Sequence, residues 1–290
     1  MDTHIAEPWR AGRSLATELR AVLMIARKEW MIFRRYPSWV IALFIWPVLM
    51  PLAYIFTAQA LGGPGGESLT RFQQLTGTRD YAAFIVLGSI LWMWLNMTLW
   101  DVGMYLRNEQ MHGTLESNWL CPTWRVSLIL GGALTKLLVS VAFILISLLE
   151  FRVLLGVHLL AGNVGLALLA LLLTIPIVHG IGIAFASLVL RFKEANAMVF
   201  LVRGIFMIFC GITFPVAVLP GWMQGIAAVL PLTYAIHAVR AALLANAGWA
   251  ELSADLLVLS AYAIAAPLLG YILFGIVERG ARRRGDLGQY

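Results

Sequence analysis

The chain has 290 residues, 61% of them hydrophobic and only 12% charged, with a formal net charge of +6. Soluble domains carry about 25% charged residues, so this composition excludes an ordinary water-soluble globular protein and points to a chain solvated by lipid. The excess of Lys and Arg then reads as membrane topology and contact with anionic lipid, and nucleic-acid binding is a poor explanation of it.

Residues 1–38 are polar or amphipathic, so no cleavable secretory signal is expected. Within them, Glu18 to Tyr36 reads as a helix lying along the membrane. Leu19, Val22, Leu23, Ala26, Trp30 and Phe33 share one face, and Arg20, Arg27 and Arg34 form the opposite stripe. Two readings are open: a passive anchor, or a helix beside the mouth of a pathway that moves when a partner pushes on it.

Six apolar runs follow, at Trp39–Ala60, Phe84–Met104, Ser127–Phe151, Val164–Leu190, Ala197–Val216 and Asp255–Val277. Each has about the 20 residues that a helix needs to cross the hydrocarbon, and nothing alternates as a barrel strand would. The fold class expected is all-α, a polytopic membrane protein with six transmembrane helices. The organisation is a cytoplasmic N-terminus with its amphipathic helix over residues 1–37, a transmembrane domain over 38–278 and a basic tail over 279–290. Arg10, Arg13, Arg20, Arg27, Lys28, Arg34 and Arg35 at one end and Arg279, Arg282, Arg283 and Arg284 at the other put both termini in the cytoplasm.

The first outer loop, Leu61 to Asp80, contains Gly62-Gly63-Pro64-Gly65-Gly66 but lacks the Lys-Ser/Thr of a nucleotide-binding loop, so it reads as a flexible turn. In the second apolar run Trp92, Trp94 and Trp100, with Phe206 and Phe209 of the fifth, are candidates to line a route across a dimer seam, the alternative being ordinary packing or lipid-facing positions.

The loop after the second run holds Arg107, Glu109, Gly113-Thr114-Leu115-Glu116, Trp119 and Pro122. Thr114 is placed to N-cap a short amphipathic helix that Pro122 stops, and Leu115, Trp119 and Leu120 would share a face for a partner domain. Cys121 and Cys210 lie far apart in this topology, and no disulfide framework follows from them.

Ionisable residues inside the runs are Asp101, Lys136, Glu150, His179 and Arg203. Asp101, Lys136 and Arg203 sit toward the cytoplasmic ends, as an inner charge network or as side chains that snorkel. Glu150 at the outer end of the third run is a candidate partner for Arg240. Gly180, Gly182 and Ala186 in the fourth run offer small surfaces for close helix packing.

Late in the chain come Phe214-Pro215-Val216-Ala217-Val218-Leu219-Pro220-Gly221-Trp222 and Pro231-Leu232-Thr233-Tyr234-Ala235, leading to Arg240. The prolines break helices where the freed backbone groups must be buried in protein or reach water. Two readings again stay open, a broken-helix pathway exit built on Phe214, Pro215, Pro220, Tyr234 and Arg240, or a hairpin dipping into the headgroups.

The sequence resembles the ABC-2 family of ATP-binding-cassette exporter permeases. In that family Arg-x-x-x-x-x-Gly-Thr-Leu-Glu followed by Pro forms the coupling helix, matched here by Arg107, Gly113, Thr114, Leu115, Glu116 and Pro122 within 105–125. The Pro-rich segment within 214–240 matches its re-entrant outer helices. The resemblance implies a non-catalytic permease subunit, with no catalytic, cofactor or metal site in this chain. It also implies two cytosolic ATPase subunits that hold the ATP and Mg, and a second permease copy, as a homodimer or a heterodimer. The setting implied is a bacterial inner membrane, with export of an amphipathic or lipid-like compound such as a drug, lipid or glycolipid. A polysaccharide is the alternative cargo. An ion-coupled secondary transporter is the alternative function, and an intramembrane enzyme is disfavoured because His158, His179 and His237 are scattered.

Overall fold

The structure is a computed structural model that describes residues 14–62, 67–121, 123–157, 162–191 and 195–284. Twelve α-helices occur among them, and no strand. Helix α1 (Leu15–Arg35) opens on Ser14, whose hydroxyl accepts the Thr17 N–H, and it ends on two arginines that suit the negative end of the helix dipole. Five later helices are long and apolar enough to cross a membrane. They are α2 (Pro37–Gly62), α4 (Tyr81–Asp101), α7 (Arg125–Leu155), α8 (Val164–Arg191) and α12 (Trp249–Arg284); the first four end close to the apolar runs that predict them, and α12 extends beyond its run, Asp255–Val277, at both ends.

The fifth predicted run is corrected. Its helix, α9, covers only Ala195–Phe209, about 22 Å at 1.5 Å per residue and short of the roughly 30 Å hydrocarbon layer. The chain breaks where Gly211 takes φ +65, a conformation that suits glycine, and Pro215 follows. A single 3-10 turn at Val216–Val218 leads into α10 (Gly221–Ala227) and α11 (Pro231–Leu244), which meet at 89°. The chain therefore offers five spans, or six if the bent pair counts as one.

One further difference is local. The loop expected over Leu61 to Asp80 contains a ten-residue helix, α3 (Glu67–Thr76), held by Phe72 meeting Phe84 edge-on at 5.2 Å. Residues 63–66 of the glycine run lie outside the described residues. Helix α12 continues unbroken to Arg284, past Val277 where its apolar stretch ends.

Helix α4 is the axis of the bundle and is almost wholly buried, from Ala83 to Leu95 and again at Thr98 and Leu99. Helices α8 and α12 form the most extensive helix pair. Their backbones nearly touch: a Cβ on Gly180 would lie 2.5 Å from Ala266 and Pro267 backbone atoms, and one on Gly270 would lie 2.6 Å from the Gly180 carbonyl. Gly182 faces Thr98 and Val102, and Ala186 is buried, so the small-residue reading of this helix holds. Both helices carry an internal proline, Pro176 and Pro267.

Because neither backbone can retreat without unpacking the pair, Gly180→Val is expected to lower stability by about 1–3 kcal/mol. Thermal unfolding of the detergent-purified chain checks this, and Gly275→Ala, at a position where an added Cβ meets nothing, should be close to neutral.

Candidate functional site

The two ends of α4 lead to two polar clusters. At its C-terminal end the chain turns through Val102–Met104 into α5 (Tyr105–Met111), then into α6 (Leu115–Leu120) and the start of α7. Glu109 is the hub of this segment. Its carboxylate accepts from Lys28 Nζ of α1 at 2.9 Å, from the Thr114 hydroxyl at 2.5 Å and from the Asn118 amide at 2.7 Å. Gly113, with φ +68, makes the turn that brings Thr114 and Asn118 back onto Glu109.

Thr114 stands at the N-cap position as predicted, but its side chain does not cap the helix. Its backbone is already helical (φ −95, ψ −10), which turns the hydroxyl away from the next turn's N–H groups and toward the Glu109 carboxylate, the stronger acceptor. Pro122 and the side chains of Leu115, Glu116 and Trp119 lie outside the described residues. Arg107 is half-buried in α5.

Helix α1 grips this segment twice. Besides Lys28, its buried Glu18 accepts the Trp124 N–H at 3.0 and 3.2 Å and the Ser127 hydroxyl at 2.7 Å, placing a carboxylate on the positive end of α7. Farther along, the Thr135 hydroxyl donates to the Ala26 carbonyl at 2.8 Å, and Gly131 lets α7 close on Val22 and Ile25. The apolar face read from the sequence is therefore divided. Val22 and Ile25 meet α7, while Leu19, Leu23 and Trp30 remain exposed beside Arg20, Arg27 and Arg34. The amphipathic pattern draws attention to that arginine stripe and conceals Glu18 and Lys28, which do the fastening.

Charge in this cluster is fixed by its neighbours. Burial alone would raise the Glu109 pKa, but the hydrogen bonds from Thr114 and Lys28, the Lys28 charge and the Asn118 amide outweigh it and hold the carboxyl below its ordinary range. Lys28 moves the opposite way: burial would lower it, and the bond to Glu109 together with the Glu109 and Glu29 charges raises it. Burial and the Glu109 charge push the neighbouring Tyr105 phenol up to about 12, so it stays protonated under the Lys28 ammonium 5.8 Å from its ring centre.

At the N-terminal end of α4, Arg240 of α11 is buried. Its Nε donates to the Phe84 carbonyl at 3.0 Å, Nη1 to Gly211 at 2.7 Å and Nη2 to Ile212 at 2.5 Å, and the guanidinium lies 3.4 Å over the Phe84 ring centre. This overturns the Glu150–Arg240 pairing: the guanidinium donates to the Gly211 and Ile212 carbonyls at the break after α9 and to the Phe84 carbonyl of α4, and Glu150 Oε2 has no hydrogen-bond partner among the described residues. Gly88 is the other half of the arrangement, since any Cβ there would collide with Arg240 Nη2 and the Ile212 carbonyl. Nearby, His237 Nδ1 pairs with Asp255 of α12 at 2.5 Å, and the Tyr234 and Tyr262 hydroxyls donate to the Ala228 and Val229 carbonyls, both at 2.8 Å.

The remaining candidates separate. Asp101 and Lys136 do pair, at 3.0 Å, but Arg203 is not in their network and lies instead against the Trp92 and Phe200 rings. Trp92 and Trp94 are enclosed within one chain, at 3% and 2% exposure, so they are not open to a seam with a second copy. Trp100 is half-buried and meets Phe200 edge-on at 5.9 Å. Phe206 is buried and Phe209 meets the exposed Trp222 at 6.4 Å. Phe214 and Pro215 are half-buried at the break, and Pro220 is exposed as the N-cap of α10.

The ABC-2 type transporter profile matches residues 20–244, from within α1 to the end of α11, and so takes in Lys28, Glu109 and Arg240. No curated protein matches the chain.

Two outcomes are expected. In a double-mutant cycle of Lys28→Met and Glu109→Gln, thermal unfolding should give a coupling of about 1 kcal/mol, at the low end because Lys28 is 43% exposed. With the Glu109 pKa below 4.5 and that of Lys28 above 10.5, the coupling should be flat between those pH values, lost in acid as Glu109 takes a proton, and lost in strong alkali as Lys28 gives one up. Separately, Gly88→Ala and Arg240→Met should each lower the folded yield, read by size-exclusion of the detergent extract, and combining the two should add little beyond either alone.

Proposed function

The chain belongs to the ABC-2 type transporter family, the membrane subunits of ATP-binding-cassette transporters, and from that membership we propose that it is the permease of an ATP-driven exporter. Two copies form the translocation route, and each docks a separate cytosolic ATPase subunit that binds the ATP and Mg. The docking element is the turn and short helix from Gly113 to Pro122. Both termini face the cytoplasm, in a bacterial inner membrane, and the cargo is an amphipathic or lipid-like compound.

The observation that carries the reading is the triple junction at Glu109. A rigid-body push on α6 reaches α5 through Thr114 and Asn118, and α1 through Lys28, while Glu18 carries α1's displacement into the first turn of α7. A docking element tied by charged hydrogen bonds to two neighbouring helices moves them together rather than fraying alone. Binding energy at the ATPase becomes motion only if the two states differ in contacts, and this junction supplies contacts that can differ.

Purification of the chain in mild detergent from cells expressing its neighbouring genes should recover an ATP-binding subunit in roughly equal amount, and recovery of the chain alone, still transporting, would sink the reading. Within the complex, Glu116→Arg and Glu109→Gln should each leave the chain folded and inserted and lower cargo-stimulated ATP turnover. For Glu109→Gln the loss should be about tenfold, the equivalent of one charge-assisted hydrogen bond. Unchanged turnover in both variants would remove the docking role from this segment.

A further inference from the structure

Arg203 is the one charged residue of α9. Its carbonyl accepts the Trp92 indole N–H at 3.1 Å, which fixes it against the twelfth of the 21 residues of α4. Its guanidinium lies 5.4 Å from the Trp92 ring and 5.0 Å from the Phe200 ring centre, and Phe200 in turn meets Trp100 near the Asp101 end of α4. The charge therefore sits between mid-height and the end of the bundle that bears the docking segment. Aromatic faces offer a cation attraction but no hydrogen-bond acceptor. Among the described residues the guanidinium has no carboxylate partner and no hydrogen-bond acceptor, in contrast to Arg240, each of whose three nitrogens donates to a carbonyl.

The surroundings are open on one side. Arg203 is only partly buried, Phe200 is 56% exposed, and a side chain added at Gly204 would meet nothing within 4 Å. Helix α2 meets α9 one turn farther along, where the Tyr54 hydroxyl faces Met207 Sδ at 3.9 Å. A planar donor fork held between rings, with unused N–H groups beside an apolar opening, matches a carboxylate or phosphate carrying an alkyl chain. A bare guanidinium at such depth is costly, and an anion paired with it removes that cost.

We propose that Arg203, Trp92, Phe200 and Gly204 form a binding site for the anionic headgroup and first methylenes of an amphiphile. Assigning that amphiphile as cargo rests on the exporter reading; the binding does not. The headgroup meets the Arg203 fork and the chain lies along Phe200 over the space at Gly204.

The test uses the full-length chain in dodecyl maltoside and a dodecyl phosphate bearing a photoreactive diazirine on its alkyl chain, with labelled peptides mapped by mass spectrometry. Labelling is expected on the peptide spanning 195–209, displaced by unlabelled dodecyl phosphate and not by further dodecyl maltoside. Arg203→Gln should raise the displacing concentration about tenfold or more, as loss of a charge-assisted pair does. Arg203→Lys should lie between, and Gly204→Leu, which keeps the charge and fills the space, should also block labelling. Labelling that survives both Arg203→Gln and Gly204→Leu in correctly folded protein, or that maltoside displaces equally, overturns the site. Repeating the experiment in phosphatidylcholine vesicles with and without phosphatidylglycerol separates the sources. Protection by phosphatidylglycerol assigns the site to bilayer lipid and overturns the cargo assignment, whereas labelling that persists supports cargo. No ATPase is present in any arm, so an uncoupled docking segment would leave these results unchanged.

Discussion

A helix that stops inside a membrane protein leaves carbonyls without partners, and a bare carbonyl in hydrocarbon costs several kcal/mol. The break after α9 is possible because Arg240 reaches it from α11 and spends its donors on Gly211, Ile212 and Phe84. Much of the architecture at the N-terminal end of α4 depends on that one side chain. It binds the end of α9 to the start of α4 and holds α11 against both, and it makes Gly88 the residue that lets α4 pass closely enough. Asn163 then donates its N–H to the Ala242 carbonyl at 2.8 Å, joining the start of α8 to the same helix.

The opposite end of α4 solves a different problem with the same means. There the chain leaves the bundle and must return, and carboxylates hold it in place: Glu109 gathers the turn, and Glu18 pins the start of α7. A rigid, lipid-shielded helix separates the two clusters.

The sequence makes the helices legible where length and hydropathy alone define them, as in α2, α4, α7, α8 and α12. It misplaces the end of α9 because residues 210–216 are as apolar as a helix, and hydropathy does not register that Gly211 adopts a left-handed backbone. It passes over α3, which is short and polar on one side. At the candidate site, the segment around Glu109 is visible as a motif. Its partners are not, because Lys28 lies 81 residues away and Glu18 stands 106 residues from Trp124. Arg240 stands out as a charge in an apolar setting, which invites a search for an acid such as Glu150. Its true acceptors are main-chain atoms, which no side-chain pattern records.

The shortness of α9 has a consequence for the bilayer itself. A helix of about 22 Å beside partners that span the full layer produces a local hydrophobic mismatch, which lipids relieve by thinning or the protein by tilting. The short helix lies on the flank that also carries α10 and the exposed Trp222. Lipid packed against this flank therefore meets a shorter apolar helix than lipid packed against α2, α7, α8 or α12.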